Sequence, residues 1–106
     1  MNVGKLYEIK KYFWLLYPSK DIAAAAARFT PTITYASLTS PAAQALTRAA
    51  YLSNRFKCNV SYIEPNSIFC LLEKDGKFIK ILSTNGELGW FYLANWCKED
   101  IEEVNQ

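Results

Sequence analysis

Residues 67–93 read SIFCLLEKDGKFIKILSTNGELGWFYL, and this stretch decides the fold class. It contains three strand-like runs rich in aliphatic and aromatic residues, which suit a half-buried pleated surface. The pairs Asp75-Gly76 and Asn85-Gly86 separate the runs. Both pairs are favoured in tight hairpin turns because those turns require positive φ angles. The stretch therefore predicts a three-stranded antiparallel meander.

The residues on either side of the meander extend the β structure. A single helical turn is predicted at 94–96, followed by a short closing strand at 101–104. Upstream, residues 3–17 and 58–63 have the composition of strands. Residues 30–35 are β-branched and polar, and they suit a connector.

Two helices are predicted between the upstream strands. The first covers 19–29, with Ser19 as its N-cap and an alanine run behind it. The second begins at Ser40-Pro41, a cap residue followed by proline at the first helical position, and runs to about Arg55. Its apolar positions fall three or four apart, at Ala42, Ala45, Leu46, Ala49, Leu52 and Phe56. Its polar face would hold Gln44, Thr47, Arg48, Tyr51 and Arg55.

The composition is that of one ordinary globular domain. The chain has 106 residues, of which 51% are hydrophobic and 21% are charged. The formal net charge is only +2, from 12 basic and 10 acidic residues. A general polyanion binder usually carries a larger basic excess on one face, so the composition disfavours that class.

Cysteine and histidine usage argues against a metal site. The chain has three cysteines without CxxC spacing and no histidine, so we expect neither a zinc site nor another cofactor. This cysteine usage fits a reducing compartment, and we expect a cytoplasmic protein. The apolar run from Tyr12 to Tyr17 is far shorter than the roughly 20 residues of a membrane span. No membrane partner is therefore expected.

Catalytic groups are scarce, and we do not expect an enzyme. The chain lacks histidine, a nucleophile-elbow serine and a glycine-rich phosphate loop. Asp75 is interpreted as a turn residue. The acids near the end are interpreted as a solvated face, and they are Glu99, Asp100, Glu102 and Glu103. Cys97 is interpreted as a partly buried thiol, the alternative being a thiol whose pKa is lowered by a nearby cation.

The order of elements resembles that of an SH3-like barrel. The segment after the second hairpin, Gly89-Trp90-Phe91-Tyr92-Leu93-Ala94-Asn95-Trp96, stands where that family has a Gly-Tyr-Ile-Pro-Ser-Asn-Tyr type sequence. The resemblance implies an α+β fold, a small SH3-like antiparallel β-barrel with a two-helix insertion, at about 19–57, after the first strand region. Residues 1–106 would form this single domain, which looks like small bacterial or phage-type SH3-like proteins.

The resemblance also implies a function and a site. Peptide-binding SH3 domains hold proline-rich segments on an aromatic platform, whose positions map onto Phe78, Tyr92 and Trp96. With Trp90, these residues are our candidates for ligand binding in a non-catalytic protein- or peptide-binding module. Aromatic residues make up 15% of the chain, and Trp and Tyr dominate interface hot spots. The opposing interpretation is that the aromatic side chains pack under the inserted helices.

Nucleic-acid binding is the alternative function, as in small barrels of the translation and transcription machinery. Aromatic rings near Lys77, Lys80 and Arg55 would then stack on bases of a single strand. The alternation in 77–82 mixes lysine with apolar residues on each face, which favours ordinary half-burial over a basic groove. We expect a monomer, or a weak homo-oligomer if the helices leave an apolar face uncovered.

Overall fold

The computed structural model describes residues 1–28 and 40–104, and the predicted connector at 30–35 lies outside these ranges. The elements in chain order are β1 (Leu6–Ile9), β2 (Trp14–Leu16), α1 (Lys20–Arg28), α2 (Pro41–Phe56), β3 (Ser61–Ile63), β4 (Ile68–Asp75), β5 (Phe78–Ser83), β6 (Leu88–Tyr92), α3 (Asn95–Asp100) and β7 (Ile101–Glu103). The strands form antiparallel sheets, with the two longer helices between β2 and β3. The predicted α+β class is therefore confirmed.

Strands β4, β5 and β6 form the predicted meander within a five-stranded sheet. The strand order is β6-β5-β4-β1-β7, and every neighbouring pair is antiparallel. Gly76 and Gly86 adopt φ angles of +61° and +87° in the two hairpin loops, which meets the requirement for positive φ. Helix α3 has six residues, so it is longer than the predicted single turn. It returns the chain to β1, where β7 pairs.

The predicted strand region 3–17 splits into two strands that belong to different sheets. β1 lies in the five-stranded sheet, whereas β2 pairs with β3 in a two-stranded ribbon. At the break, the carboxylate of Asp100 accepts hydrogen bonds from the backbone N–H groups of Lys11 (2.6 Å) and Tyr12 (3.3 Å). The same carboxylate accepts a bond from the indole Nε1 of Trp14 (3.2 Å). Asp100 is only 2% exposed, so its interpretation as part of a solvated face is wrong.

The β2–β3 ribbon lies between the core of the large sheet and α2, whereas α1 packs on β6. One side of the ribbon, with Trp14, Leu16 and Ile63, joins the sheet core. The other side, with Leu15 and Tyr62, packs against the helix core. The buried residues of the sheet core are Tyr7, Ile9, Trp14, Leu16, Ile63, Phe69, Leu71, Ile79, Ile81, Phe91, Leu93 and Cys97. Those of the helix core are Tyr17, Ala23, Ala26, Ala49, Leu52 and Val60. Alternation of side chains lets one ribbon serve both cores.

Both long helices begin at serine caps, as predicted. Ser19 Oγ accepts from the N–H of Ile22 (3.2 Å), and Ser40 Oγ accepts from the N–H of Ala43 (3.1 Å). The buried stripe of α2 is narrower than its apolar pattern predicted, because Leu46 is 58% exposed. Small alanines on the buried faces let α1 approach β6 closely and let α2 approach the ribbon closely. None of the described helices is long and apolar enough to cross a membrane.

The two sheets approach each other between β2 and β6 but do not close into a barrel. Tyr17 and Trp90 form a single antiparallel bridge, with N–H to C=O distances of 2.9 and 2.7 Å. Gly89 permits this contact, because a Cβ there would lie 2.9 Å from the Cβ of Leu16 and 3.0 Å from the carbonyl oxygen of Tyr17. Within the described ranges, no further β2–β6 pairing extends this bridge.

Candidate functional site

Three of the four predicted ligand-binding residues lie together on the outer face of β5 and β6. Phe78 is the cross-strand partner of Tyr92, with ring centroids 5.3 Å apart, and Trp90 pairs with Lys80. All three aromatic side chains are half-buried. Trp96 lies in α3, and its side chain falls outside what the structure describes, so its assignment stays a prediction.

The inserted helices cover part of this aromatic face. Phe78 and Trp90 pack against the helix core, which includes alanines of both α1 and α2. Tyr92, in contrast, lines a cleft beside that core. The interpretation that aromatic rings pack under the insertion therefore describes Phe78 and Trp90, and Tyr92 is the candidate with direct access to a ligand.

The cleft lies between β2, the end of β6 and the two long helices, and it has a volume of about 890 Å³. Its described lining is Lys11, Tyr12, Phe13, Trp14, Leu15, Tyr17, Ala23, Ala26, Ala27, Pro41, Gln44, Ala45, Arg48, Phe91, Tyr92 and Ala94. Six of these residues are aromatic and most of the others are small, and we call this site the aromatic cleft. A concave, largely apolar site with a few polar groups is the usual form of a ligand pocket.

The backbone explains why a cleft forms here. Backbone groups of alternate residues point to the same side of an antiparallel strand. Because the N–H and C=O of Tyr17 point to β6, those of Leu15 point the same way. On β6, the N–H and C=O of Trp90 point to Tyr17 of β2. Tyr92 lies two residues further along, so its N–H also points toward β2. The strands separate beyond the Tyr17–Trp90 bridge, which leaves these groups facing the opening.

The floor of the aromatic cleft is held rigidly. Trp14 stacks on Phe91 with ring centroids 4.0 Å apart and an angle of 7° between the rings. Trp14 is fully buried, and its indole N–H is bound by Asp100. This buried pair is a fixed base beneath the more exposed residues of the cleft, and a rigid site loses less entropy on binding.

The charge of the aromatic cleft is positive. Lys11 and Arg48 are the charged side chains of its described lining, which contains no carboxylate. Burial raises the pKa of Tyr17, and the positive charge of Arg48 partly offsets that rise. Arg48 is therefore close enough to act electrostatically on the phenol at the cleft. Neither Arg48 nor Lys11 takes part in an ion pair within the part of the chain that the structure describes.

Sequence reasoning missed the cationic side of this site. Arg48 and Gln44 were assigned to the polar, outer face of the second helix, yet both line the aromatic cleft. A helical pattern separates apolar from polar positions, but it does not reveal that a polar stripe faces a cleft rather than bulk solvent. Asp100 was missed for a similar reason, since its hydrogen-bond donors lie far away in sequence.

The environment of Cys97 decides between the two interpretations of its thiol. Cys97 is fully buried, and burial raises its pKa to about 11, so the alternative of a lowered pKa is wrong. Among residues 1–28 and 40–104, no cluster of cysteine and acidic side chains could hold a metal ion.

Compared with known proteins, the chain matches no family model, no curated protein and no solved structure. Functional reasoning therefore rests on the geometry and charge of the site.

Proposed function

We propose that the protein is a non-catalytic peptide-binding module built on an SH3-like arrangement that its insertion holds open. Three hairpin-linked strands, a short helix and a last strand that returns to β1 support this architecture. The single Tyr17–Trp90 bridge lies where a closed barrel would continue its ladder. The proposed ligand site is the aromatic cleft at this opening, with Tyr92 as the retained platform residue.

The observation that carries the proposal is that one cleft combines aromatic walls with two cations, Lys11 and Arg48, that form no ion pair among the described residues. Peptide ligands bind such sites through one or two apolar side chains, while a charged group fixes their orientation. Arg48 and Lys11 select a carboxylate. We therefore propose that the ligand is a peptide in which an apolar or proline residue stands next to an acidic one.

Nucleic-acid binding is less well supported by the charge distribution. Four lysines form ion pairs with acids: Lys5 with Glu103, Lys10 with Glu8 and Glu102, Lys20 with Asp75, and Lys80 with Glu73. These neighbouring carboxylates repel phosphate and break up a continuous basic surface. Lys80 on β5 is the cross-strand neighbour of Trp90 on β6. Its ion pair with Glu73 therefore reduces the positive charge on the strand where base stacking was predicted.

A titration of the 15N-labelled protein tests the proposal. Two proline-rich peptides of equal length are compared, one carrying glutamate and the other lysine at the same position. We expect the acidic peptide to shift the amide signals of Leu15, Arg48 and Tyr92. The variant Arg48→Ala is expected to weaken binding by about tenfold, as for loss of a charged hydrogen bond.

The matched control is Arg55→Ala, on the same helix but outside the cleft lining, which is expected to bind like the unchanged protein. Equal affinity for the two peptides, or no shift at millimolar peptide, would contradict the proposal. An oligothymidylate serves as the second arm. Shifts with this probe that vanish between about 50 and 200 mM salt would establish nucleic-acid binding instead.

A further inference from the structure

The outer edge of β3 carries backbone groups that pair with none of the described strands. β3 is paired with β2 on one side, and no other described strand lies on its second side. Since Tyr17 directs its backbone groups to β6, Leu16 and Trp14 direct theirs to β3. Their partners Ser61 and Ile63 therefore use their own groups in the ribbon.

Tyr62 then directs its N–H and C=O away from the ribbon. A second observation gives the same result. The backbone N–H and C=O of Val60, two residues earlier on the same edge, bond to the Ser53 hydroxyl of α2 (2.9 and 3.4 Å). The Ser53 hydroxyl thus provides hydrogen-bond partners for the backbone groups of Val60. The N–H and C=O of Tyr62 are the next backbone groups that point outward along this edge.

A groove of about 420 Å³ follows this edge. One wall is a stripe of α2 with helical spacing, formed by Leu46, Ala49, Ala50 and Ser53, and Leu46 is 58% exposed on it. The opposite wall is the loop between β5 and β6. We call this site the β3-edge groove. It joins an open strand edge to an apolar helix stripe, which is the form of a strand-addition site.

The charge of the β3-edge groove is negative. Glu64 and Glu87 are the charged residues of its described lining, and neither forms an ion pair within residues 1–28 and 40–104. The aromatic cleft carries the opposite charge on different residues. One peptide chemistry therefore does not suit both sites.

We propose that the β3-edge groove is a second binding site, which takes an extended peptide of alternating basic and apolar residues as an added strand. The N–H and C=O of Tyr62 pair with the peptide backbone. An apolar peptide side chain covers Leu46 and Ala50, and its basic neighbours lie near Glu64 and Glu87. This site is independent of the function proposed for the aromatic cleft.

Amide hydrogen exchange of the whole protein tests the geometry first. The Tyr62 amide is expected to exchange at least tenfold faster than those of Ser61 and Ile63, because both neighbours bond within the ribbon. Equal protection at the three positions would mean that the edge is already satisfied, and the proposal would be wrong.

The second measurement uses end-blocked Lys-Val-Lys-Val-Lys as the probe. We expect it to slow exchange at Tyr62 and to shift the signals of Leu46 and Ala50. A copy of the peptide methylated on its central amide nitrogens, and Glu-Val-Glu-Val-Glu, are each expected to bind about tenfold more weakly. No protection of Tyr62 at 1 mM probe (roughly the weak limit of specific binding), or equal binding of the methylated peptide, overturns the proposal.

A matched pair of variants locates the contact. Leu46→Glu adds a negative charge but removes the apolar contact, and it is expected to weaken binding of the probe by about tenfold. Leu88→Glu makes the same change at a leucine of similar exposure on β6, 53% against 58%, and is expected to bind normally. Tighter binding by Leu46→Glu would show that only charge attracts the probe, which contradicts strand addition.

Discussion

The meander and the ribbon are both antiparallel, but different interactions hold them in place. In the meander, β4, β5 and β6 follow one another through short loops, and their pairing continues along most of each strand. In the ribbon, β2 and β3 have three residues each and are separated in sequence by both long helices. Joining distant segments costs more chain entropy than closing a hairpin.

The difference shows what the ribbon needs in order to persist. Three paired residues do not offset the entropy of closing a long insertion, so the ribbon depends on anchors supplied by the rest of the fold. Two such anchors are visible. Asp100 binds the chain at the entry to β2, and the Tyr17–Trp90 bridge binds it at the exit. Both anchors also shape the aromatic cleft, so stability and binding should change together.

The largest effect is expected for Asp100→Ala. This change removes the acceptor for the N–H groups of Lys11 and Tyr12 and for the buried indole of Trp14. Leaving the buried indole donor and two partly buried N–H groups without their acceptor should cost about 3 kcal/mol of unfolding free energy, which urea denaturation measures. Glu99→Ala is the control, since Glu99 is exposed. A loss as small as that of the control would show that Asp100 does not anchor the ribbon.

The second effect is expected for Gly89→Ala. The added methyl group would lie 2.9 Å from the Cβ of Leu16, so β2 and β6 must move apart. We expect a loss of about 2 kcal/mol, as for overpacking, together with faster hydrogen exchange at the amides of Tyr17 and Trp90. Leu88→Ala, on the same strand but exposed, is the control. Normal protection of both amides would mean that the bridge does not depend on glycine.

The third effect is a dependence of the unfolding free energy on pH, caused by Cys97 in the core that the meander and the ribbon share. Cys97 packs in the sheet core together with Trp14 of the ribbon. Burial raises its pKa from 9.0 to about 11. Below pH 9 the thiol is neutral in both the folded and the unfolded protein, so its contribution to the unfolding free energy is fully present. Between pH 9 and 11 the unfolded thiol ionises first, so stability should fall by on the order of 2 kcal/mol.

Denaturation at pH 8 and at pH 11 measures that fall. Cys97→Ala should lose less stability over this interval than the unchanged protein, although it starts from a lower value because of the cavity. Cys70→Ala retains Cys97 and should keep the whole difference. The raised pKa of the buried Tyr17 acts in the same direction, so some fall remains without Cys97. An unchanged slope in Cys97→Ala would show that its thiol does not titrate differently on folding.

The meander could be predicted from sequence because its signals are local. Asp75-Gly76 and Asn85-Gly86 specify turns within a few residues of the strands that they join. The signals for helix starts at Ser19 and Ser40 are equally local, and both predictions are confirmed by the cap hydrogen bonds. The split of residues 3–17 was not predicted, because it depends on Asp100, which lies more than 80 positions away.

The candidate site was only partly predictable for the same reason. Phe78, Trp90 and Tyr92 share one face because side chains alternate along paired strands. This alternation can be read from the sequence once the hairpin is predicted. Which of them faces a cleft depends on where α1 and α2 pack, and no local pattern contains that information. Arg48 became a candidate only through its tertiary position.

The smallest effect is expected for Lys20→Ala, and it completes the comparison. Lys20 at the start of α1 bonds to Asp75 at the end of β4, so this ion pair joins the insertion to the meander. Pairing with Asp75 raises the pKa of Lys20, but both side chains are largely solvated. Solvent screening and side-chain entropy leave little net stabilisation in such pairs. We expect no change in the urea midpoint beyond experimental error. A loss comparable to that of Asp100→Ala would mean that surface charge, rather than the buried carboxylate, holds the insertion against the sheet.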